Sequence, residues 1–456
     1  MRTCFGILLV VLLGIAVPAA AGVSFTCEAA DQGAVTGLGV LSVFHVNVHN
    51  TGSVPDTFTV TVARAMPEAW SCSLCQGGVC YPPYVQQITF SVAAGAAAIV
   101  DVDVAPLVAE GSGAASLTVS SQGDAAQSQT LTFQVVTTGV QVLLVDGDGG
   151  SALEDYFTPA LQASTAGWAR WPRHVSGALT APELAGFVGV IWFGSGMTPA
   201  LDDADRGALA YYVQHGGSLL LCGQGVARQA CDPASPWYSA GAAAWFQFVL
   251  GAGWAGPAAG ATSVAALPQS PCARTLAAAL NGAGGAGNST APDALSAAGS
   301  GLPAQQYGTG AVAAVAATYG SGRSLLCGYA VESLGPPAAR DGFLLAFVNW
   351  ARGLPTAVDP LPPLAWRREP QAAPNPFNPS TTIRFEVGAK EPVAVEVCDL
   401  RGRTVRRLLD GGAAGGAVAV TWDGRSDDGR AMPAGVYVAR VVAGRQVRTI
   451  KLVLVK

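Results

Sequence analysis

The chain has 456 residues, of which 50% are hydrophobic and only 12% charged, with a formal net charge of -5. Lysine occurs only at Lys390, Lys451 and Lys456, and no cluster of basic residues tracks a phosphate backbone, so nucleic acid is not an expected partner. The length calls for several domains, and the 57 glycines and 29 prolines suit many turns and short strands.

Residues 1–21 open with one positive charge, continue as an apolar run and end on small residues, "MRTCFGILLVVLLGIAVPAAA". That is the pattern of a secretory signal cut near Ala21-Gly22. The alternative is an N-terminal anchor, but a membrane span needs about 20 apolar residues, more than this run supplies. Losing Arg2 makes the net charge one unit more negative. Later apolar segments are broken by Gly, Pro or charge, so no membrane span is expected after cleavage.

Residues 22–137 alternate in the manner of strands. In "LSVFHVNVHNTG", Phe44, Val46 and Val48 fall on one face and His45, Asn47 and His49 on the other. On a strand, four residues span roughly 13 Å, so His45 and His49 are poorly placed to share one metal ion and read as solvent-facing. Short strands at regular spacing with Gly, Pro, Asn and Ser between them predict a β-sandwich. The phrase "FHVNVHNTGSVPDTFTVTV" resembles the immunoglobulin-like modules of secreted bacterial proteins.

Export makes the cysteines readable. Cys27, Cys72, Cys75 and Cys80 allow three pairings. A Cys75–Cys80 bond across the Gly-Gly turn would leave Cys27 with Cys72. A zinc site from the same four is the alternative, and an oxidising compartment favours disulfides. Cys231 and Cys272 flank an irregular segment and form a further candidate pair. Cys222, Cys327 and Cys398 sit in apolar strand patterns and read as buried free thiols.

Residues 138–353 change to alternating strand and helix. "VQVLLVD", "FVGVIWFG", "GSLLLCG" and "SLLCGYA" read as buried strands, and a helix capped by Asp202 or Asp203 presents Leu209, Tyr212 and Val213. A last helix presents Phe343, Leu344, Phe347, Val348 and Trp350. This predicts an α/β domain with a parallel sheet covered on both faces. Residues 232–318 are Ala/Gly-rich and read as a long insertion with a flexible part.

The first strand runs into "VLLVDGDGGS". Ser151 and Glu154 fit a capping box. Asp146 and Asp148 would repel a phosphate, which argues against an anion cradle. A strand ending in Asp-x-Asp also resembles the first motif of haloacid-dehalogenase-type phosphotransferases, in which the first carboxylate attacks phosphorus. Such a site needs a lysine; none occurs between Val140 and Gly353, although an arginine can stand in. A divalent cation on Asp146 and Asp148 lacks an identifiable third ligand.

The third strand ends "LLLCGQG". A cysteine after a strand and before glycines resembles the nucleophile elbow of class I glutamine amidotransferase-like domains, which are flavodoxin-like. That resemblance implies a thiol nucleophile with a downstream histidine and a carboxylate. Here His174 and His215 both precede Cys222, and Glu332 has no histidine beside it. The weak catalytic candidates are Asp146, Asp148, Cys222 and Glu332. Asp146, Asp148, Ser195, Gln224 and Glu332 follow strands, where open α/β sheets bind ligands.

A proline-rich linker, 354–371, precedes residues 372–456. There N-P-F-N-P, D-L-x-G-R, W-D-G and P-A-G-V-Y stand in order along strand-like segments. This set resembles the C-terminal sorting domain of type IX secretion cargo, related to the immunoglobulin-like domain of flagellar hook-capping proteins. The resemblance implies a second β-sandwich, with Asn375, Phe377, Gly402, Trp422, Gly424, Gly435 and Tyr437 as structural markers. It implies as partner the type IX machinery of a Gram-negative outer membrane, and a secreted or cell-surface location.

The expected architecture is therefore an N-terminal Ig-like β-sandwich, a central α/β flavodoxin-like (amidotransferase-like) domain and a C-terminal Ig-like β-sandwich. The expected role is binding or adhesion to a glycan or cell-surface ligand, with no cofactor and no metal. A secreted hydrolase acting through the α/β domain and a structural envelope component are the alternatives.

Overall fold

In the computed structural model, which describes residues 22–194, 199–354, 366–399, 403–443 and 446–455, the chain divides into two units, residues 1–348 and 349–456. The signal segment, most of the linker, Ser195 and Gly402 lie outside the described residues.

Period-two alternation builds the first part of the larger unit. Phe44, Val46 and Val48 are buried in strand Ser42–Asn50. His45 Nδ1 lies 2.7 Å from Asp101 on the outer face, and His49 Nε2 lies 3.4 Å from the Gly95 carbonyl. Two five-stranded sheets enclose one apolar core. Cys75 and Cys80 are bonded.

Cys27 and Cys72, expected as a pair, are separate buried thiols. Cys27 pairs with Val48, which pairs with Ala98, whereas Cys72 pairs with Val104 further along that same strand. Three strand spacings and six residues along the strand hold them apart by roughly 14 Å laterally and 20 Å lengthwise, beyond bonding reach. Burial pushes both thiols up to about 11. Cys231 and Cys272 are likewise free.

The central strands β1 (Val142–Asp146), β2 (Trp168–Pro172), β3 (Gly189–Phe193), β4 (Ser218–Cys222) and β5 (Gly322–Cys327) are parallel. Their spatial order is 2-1-3-4-5, a doubly wound order whose switch point lies between β1 and β3. Every residue of β1, β3 and β4 is buried, as continuous apolar runs in a covered sheet require. Helix α1 (Asp203–Gln214) is capped by Asp202, whose side chain accepts from Asp205 N at 2.9 Å. Helices α2 (Val226–Cys231) and α3 (Ala240–Val249) follow, and α4 (Pro337–Ala351) comes last.

The sheet is not all parallel. Five further strands extend it to ten, and those beside β5 run antiparallel. Four of them come from residues 232–318, the stretch expected as a partly flexible insertion. Two of its glycines, Gly282 and Gly285, serve close packing. A Cβ on Gly285 would stand 2.2 Å from the Ser333 carbonyl oxygen, and one on Gly282 would stand 2.8 Å from Gly335 Cα.

The N-terminal sandwich buttresses β2. Gln134 Nε2 donates to the Arg170 carbonyl at 3.3 Å. A Cβ on Gly33 would meet the Trp171 ring at 2.4 Å, so glycine allows that approach.

In the smaller unit, strand Thr381–Cys398 pairs with three others, and Gln446–Leu454 pairs with Gly435–Ala443. Phe377 is buried with its ring 5.4 Å from Trp422, which meets Tyr437 edge-on at 5.0 Å. Asn375 Nδ2 donates to the Lys451 carbonyl at 2.6 Å, and its Oδ1 accepts from Val453 N at 2.8 Å. The Asn-Pro-Phe segment thereby staples the last strand. Gly424 holds φ +71 in its turn, whereas a Cβ on Gly435 would meet nothing.

Candidate functional site

The carboxyl ends of β1, β3, β4 and β5 meet at one edge, so the candidates divide between the turn after β1 and the crevice above β4 and β5. After β1, Asp146 and Asp148 are buried. Asp148 N donates to Asp146 Oδ1 at 3.1 Å. Asp148 accepts from Gly150 N at 2.7 Å and from Leu153 N at 3.0 Å, which uses both of its oxygens. The expected Ser151–Glu154 capping box does not form, because Asp148 takes the amide at the start of the short 3-10 turn Leu153–Tyr156.

Glu154 instead bonds Arg170, which is not among the candidates legible in the sequence. Arg170 Nε donates to Asp146 Oδ2 at 2.9 Å, and its other end grips the Glu154 carboxylate. The guanidinium is thus the cation that the acidic turn needs. Burial still raises the Asp146 carboxyl, against the lowering pull of Arg170. The signal was present in "WARWP", an arginine on an otherwise apolar edge strand beside two aspartates.

Glu154 is also the third ligand that was missing. Oxygens of Asp146, Asp148 and Glu154 lie within 4.8 Å of one another, the set on this edge that could hold a divalent cation. Arg170 already bonds two of the three.

Above β4, Cys222 is buried beside Cys327 of β5 in direct register. Burial first, then the charge of Glu332, raises its thiol well above the ordinary range. A nucleophilic cysteine needs the opposite shift. His215 Nδ1 lies 2.8 Å from the Tyr211 carbonyl, on the far end of α1. His174 comes near Gly150 in the other half of the edge, where a Cβ would lie 3.3 Å from its Nε2.

The crevice itself is filled by the chain. Gln224 Nε2 donates to the Asn288 carbonyl at 2.6 Å, and its Oε1 accepts from Thr290 N at 2.7 Å and Ala291 N at 2.9 Å. Asn288 Nδ2 donates to Glu332 Oε1 at 2.9 Å, and Ala286 N donates to the Glu332 carbonyl at 2.9 Å. Asp293 follows, buried, accepting from Ala227 N at 3.1 Å and Trp254 Nε1 at 3.1 Å. Gln224 and Glu332, read as ligand residues, hold the strap 286–293 in place. Ser195 lies outside the described residues.

Comparison with known proteins identifies one segment. The model of the FlgD Ig-like domain matches residues 376–446. No curated protein matches. Among solved structures, the N-terminal domain of PorA is 14% identical, with 25% of this chain and 97% of that one covered and a TM-score of 0.21. The CARDB domain of the PF1109 protein from Pyrococcus furiosus is 18% identical over 26% and 94%, with a TM-score of 0.18. The exo-beta-1,4-mannosidase Op5Man5 from Opitutaceae bacterium strain TAV5 is 13% identical over 48% and 36%, with a TM-score of 0.31. At these scores the likenesses say nothing of function, and they lend no support to the amidotransferase-like reading of the central domain. Among the described residues no helix is long and apolar enough to cross a membrane.

Proposed function

We propose that this is an exported protein, delivered through its C-terminal module to the cell surface or medium, whose central domain binds rather than catalyses. The observation that argues against catalysis by Cys222 is the strap over β4. Gln224 makes three hydrogen bonds to residues 288–291, so the crevice in which an elbow cysteine would meet substrate holds the protein's own backbone. Gln224 and Glu332, two of the apparent ligand residues of that edge, bond the strap instead.

The C-terminal match supports the first half, since hook-capping Ig-like folds resemble type IX sorting modules. The test is deletion of residues 372–456 in a Gram-negative bacterium that runs type IX secretion. The truncated chain is expected to stay in the periplasm while the full chain reaches the surface or medium. Equal delivery of both would overturn the sorting assignment.

One observation favours a second reading, a hydrolase acting through Asp146. Arg170 supplies the positive charge that a nucleophilic or acid–base carboxylate needs. Hydrolase screening of the secreted chain against Asp146→Asn separates the two: turnover abolished by that change selects the enzyme.

A further inference from the structure

The Cys75–Cys80 bond sits at the rim of the N-terminal sandwich, between strand Ser71–Gln76 and the two-residue edge strand Val79–Cys80. We infer that it is a thiol–disulfide exchange site, in which an external thiolate attacks Cys80 and Asp103 gives a proton to the departing Cys75 sulfur. It lies apart from the strand edge of the central domain, and its chemistry is independent of what that domain binds.

The two half-cystines are placed unequally. Cys80 is exposed on the outermost strand of its sheet, whereas Cys75 is 4% exposed. A thiolate arriving from solvent therefore meets Cys80 and expels Cys75. Across the ladder Cys75 pairs with Asp101, whose carboxylate is engaged by His45 Nδ1 at 2.7 Å. Asp103, the next residue on the outward side of strand Ala97–Ala105, turns to the disulfide instead. Its Oδ2 lies 3.2 Å from Cys75 Sγ, and its Oδ1 is buried with no hydrogen-bond partner among the described residues. A disulfide sulfur has no hydrogen to give, so this contact is a hydrogen bond only when the carboxyl carries the proton. Burial first, then the charge of Asp101, raises the Asp103 carboxyl, against the lowering pull of His45. Strands Ser71–Gln76 and Val79–Cys80 bring no charged residue to it, and burial keeps the Cys72 thiol neutral on the inner face.

In the first step the external sulfur bonds to Cys80 Sγ and the Cys75–Cys80 bond breaks. Its electron pair passes to Cys75 Sγ, which takes the Asp103 proton. The products are a mixed disulfide on Cys80, a Cys75 thiol and an Asp103 carboxylate placed to accept from it. A second thiolate attacks the external sulfur of the mixed disulfide and frees Cys80, which takes a proton from water, so two external thiols end as a disulfide. In reverse, Asp103 takes the Cys75 proton and the thiolate closes on Cys80. The hairpin keeps the two thiols together meanwhile, through the Gln76–Val79 pair and Tyr81 N donating to the Leu74 carbonyl at 2.8 Å. The bond closes a sequence separation of only five, and so short a loop adds little to the stability of the fold.

The test is incubation of the full secreted chain with millimolar glutathione, quenched in acid and mapped by peptide mass spectrometry. The first adduct is expected on Cys80, with Cys75 as the thiol, well below the temperature of unfolding. Rates are divided by the thiolate concentration at each pH. Asp103→Asn is expected to slow exchange by about tenfold or more at pH 5, and the lead of the wild type is lost as pH rises and the carboxyl ionises. A carboxylate acting through its charge alone would repel glutathione, so its removal would speed the reaction. A first adduct on Cys75, no exchange until the chain unfolds, or an Asp103→Asn rate at pH 5 equal to or above that of the wild type overturns the inference. The position of the adduct is read on the wild type, so the test stands even where the variant folds poorly.

Discussion

Arg170 reaches from β2 to the neighbouring β1 and places Nε 2.9 Å from Asp146 Oδ2. Its far end holds Glu154, so one guanidinium serves two carboxylates. Arg170→Met leaves both without a counter-ion while Asp146 stays buried. Breaking a fully buried pair costs about 3–5 kcal/mol, and partial exposure of the arginine lowers the expectation to about 2–3 kcal/mol. Adding Asp146→Asn should recover part of the loss. Urea unfolding of the single and double variants measures both, and an unchanged midpoint in the single variant would show that the pair contributes nothing.

Asp293 gives the protein a pH dependence of known sign. Burial lifts its carboxyl from 3.8 to about 6, although Arg228 N, Ala227 N and Trp254 Nε1 donate to it. Between those values the folded chain binds more protons than the unfolded one, so this group's contribution to stability falls as pH rises from about 4 to about 6. Asp146 acts in the same direction. Asp293→Asn removes this residue's share of the dependence, leaving that of Asp146, and turns an amide NH₂ toward N–H donors, at a cost of about 1–3 kcal/mol. The gap between wild type and variant should be widest near pH 4 and narrow by pH 7. Unfolding midpoints across that range decide it, and a gap that widens with pH contradicts the assignment.

How much of this was legible depends on the kind of interaction. Strand periodicity placed Phe44, Val46 and Val48 in the core, because a two-residue repeat is local. The Asp202 cap was legible for the same reason. Contacts between segments were not. Nothing local tells that Arg170 will meet Asp146 or that Gln224 will hold residues 64 to 67 positions later. Residues 232–318 misled because small side chains signal freedom in isolation. In the fold, Gly282 and Gly285 are small because Gly335 and Ser333 press against them. Cys27 and Cys72 misled because pairing by elimination ignores strand order.

The strap yields a prediction about access to the buried thiol. Gln224→Ala removes three hydrogen bonds to residues 288–291, each worth about 1 kcal/mol net. Amide exchange at Thr290 and Ala291 should accelerate. Cys222, fully covered in the wild type, should become open to alkylation by iodoacetamide, read by mass spectrometry of its peptide. If Cys222 labels as slowly in the variant as in the wild type, Gln224 does not hold the crevice shut.

The C-terminal unit rests on the stack of Phe377, Trp422 and Tyr437. Phe377 also carries the backbone link to the last strand: its N donates to the Val453 carbonyl at 2.9 Å, and its carbonyl accepts from Val455 N at 2.9 Å. Phe377→Ala empties the space against Trp422 and should cost about 3–5 kcal/mol, as large core truncations do. Gly435→Ala is the matched control, since a methyl there meets nothing and its φ is not in the left-handed region. If the module acts as a folded sorting signal, Phe377→Ala should retain the chain in the periplasm and Gly435→Ala should not. Delivery of both variants at wild-type levels would mean that export reads a feature other than this packed sandwich. Retention of Gly435→Ala with an unchanged melting curve would instead make Gly435 part of a surface read by the secretion machinery.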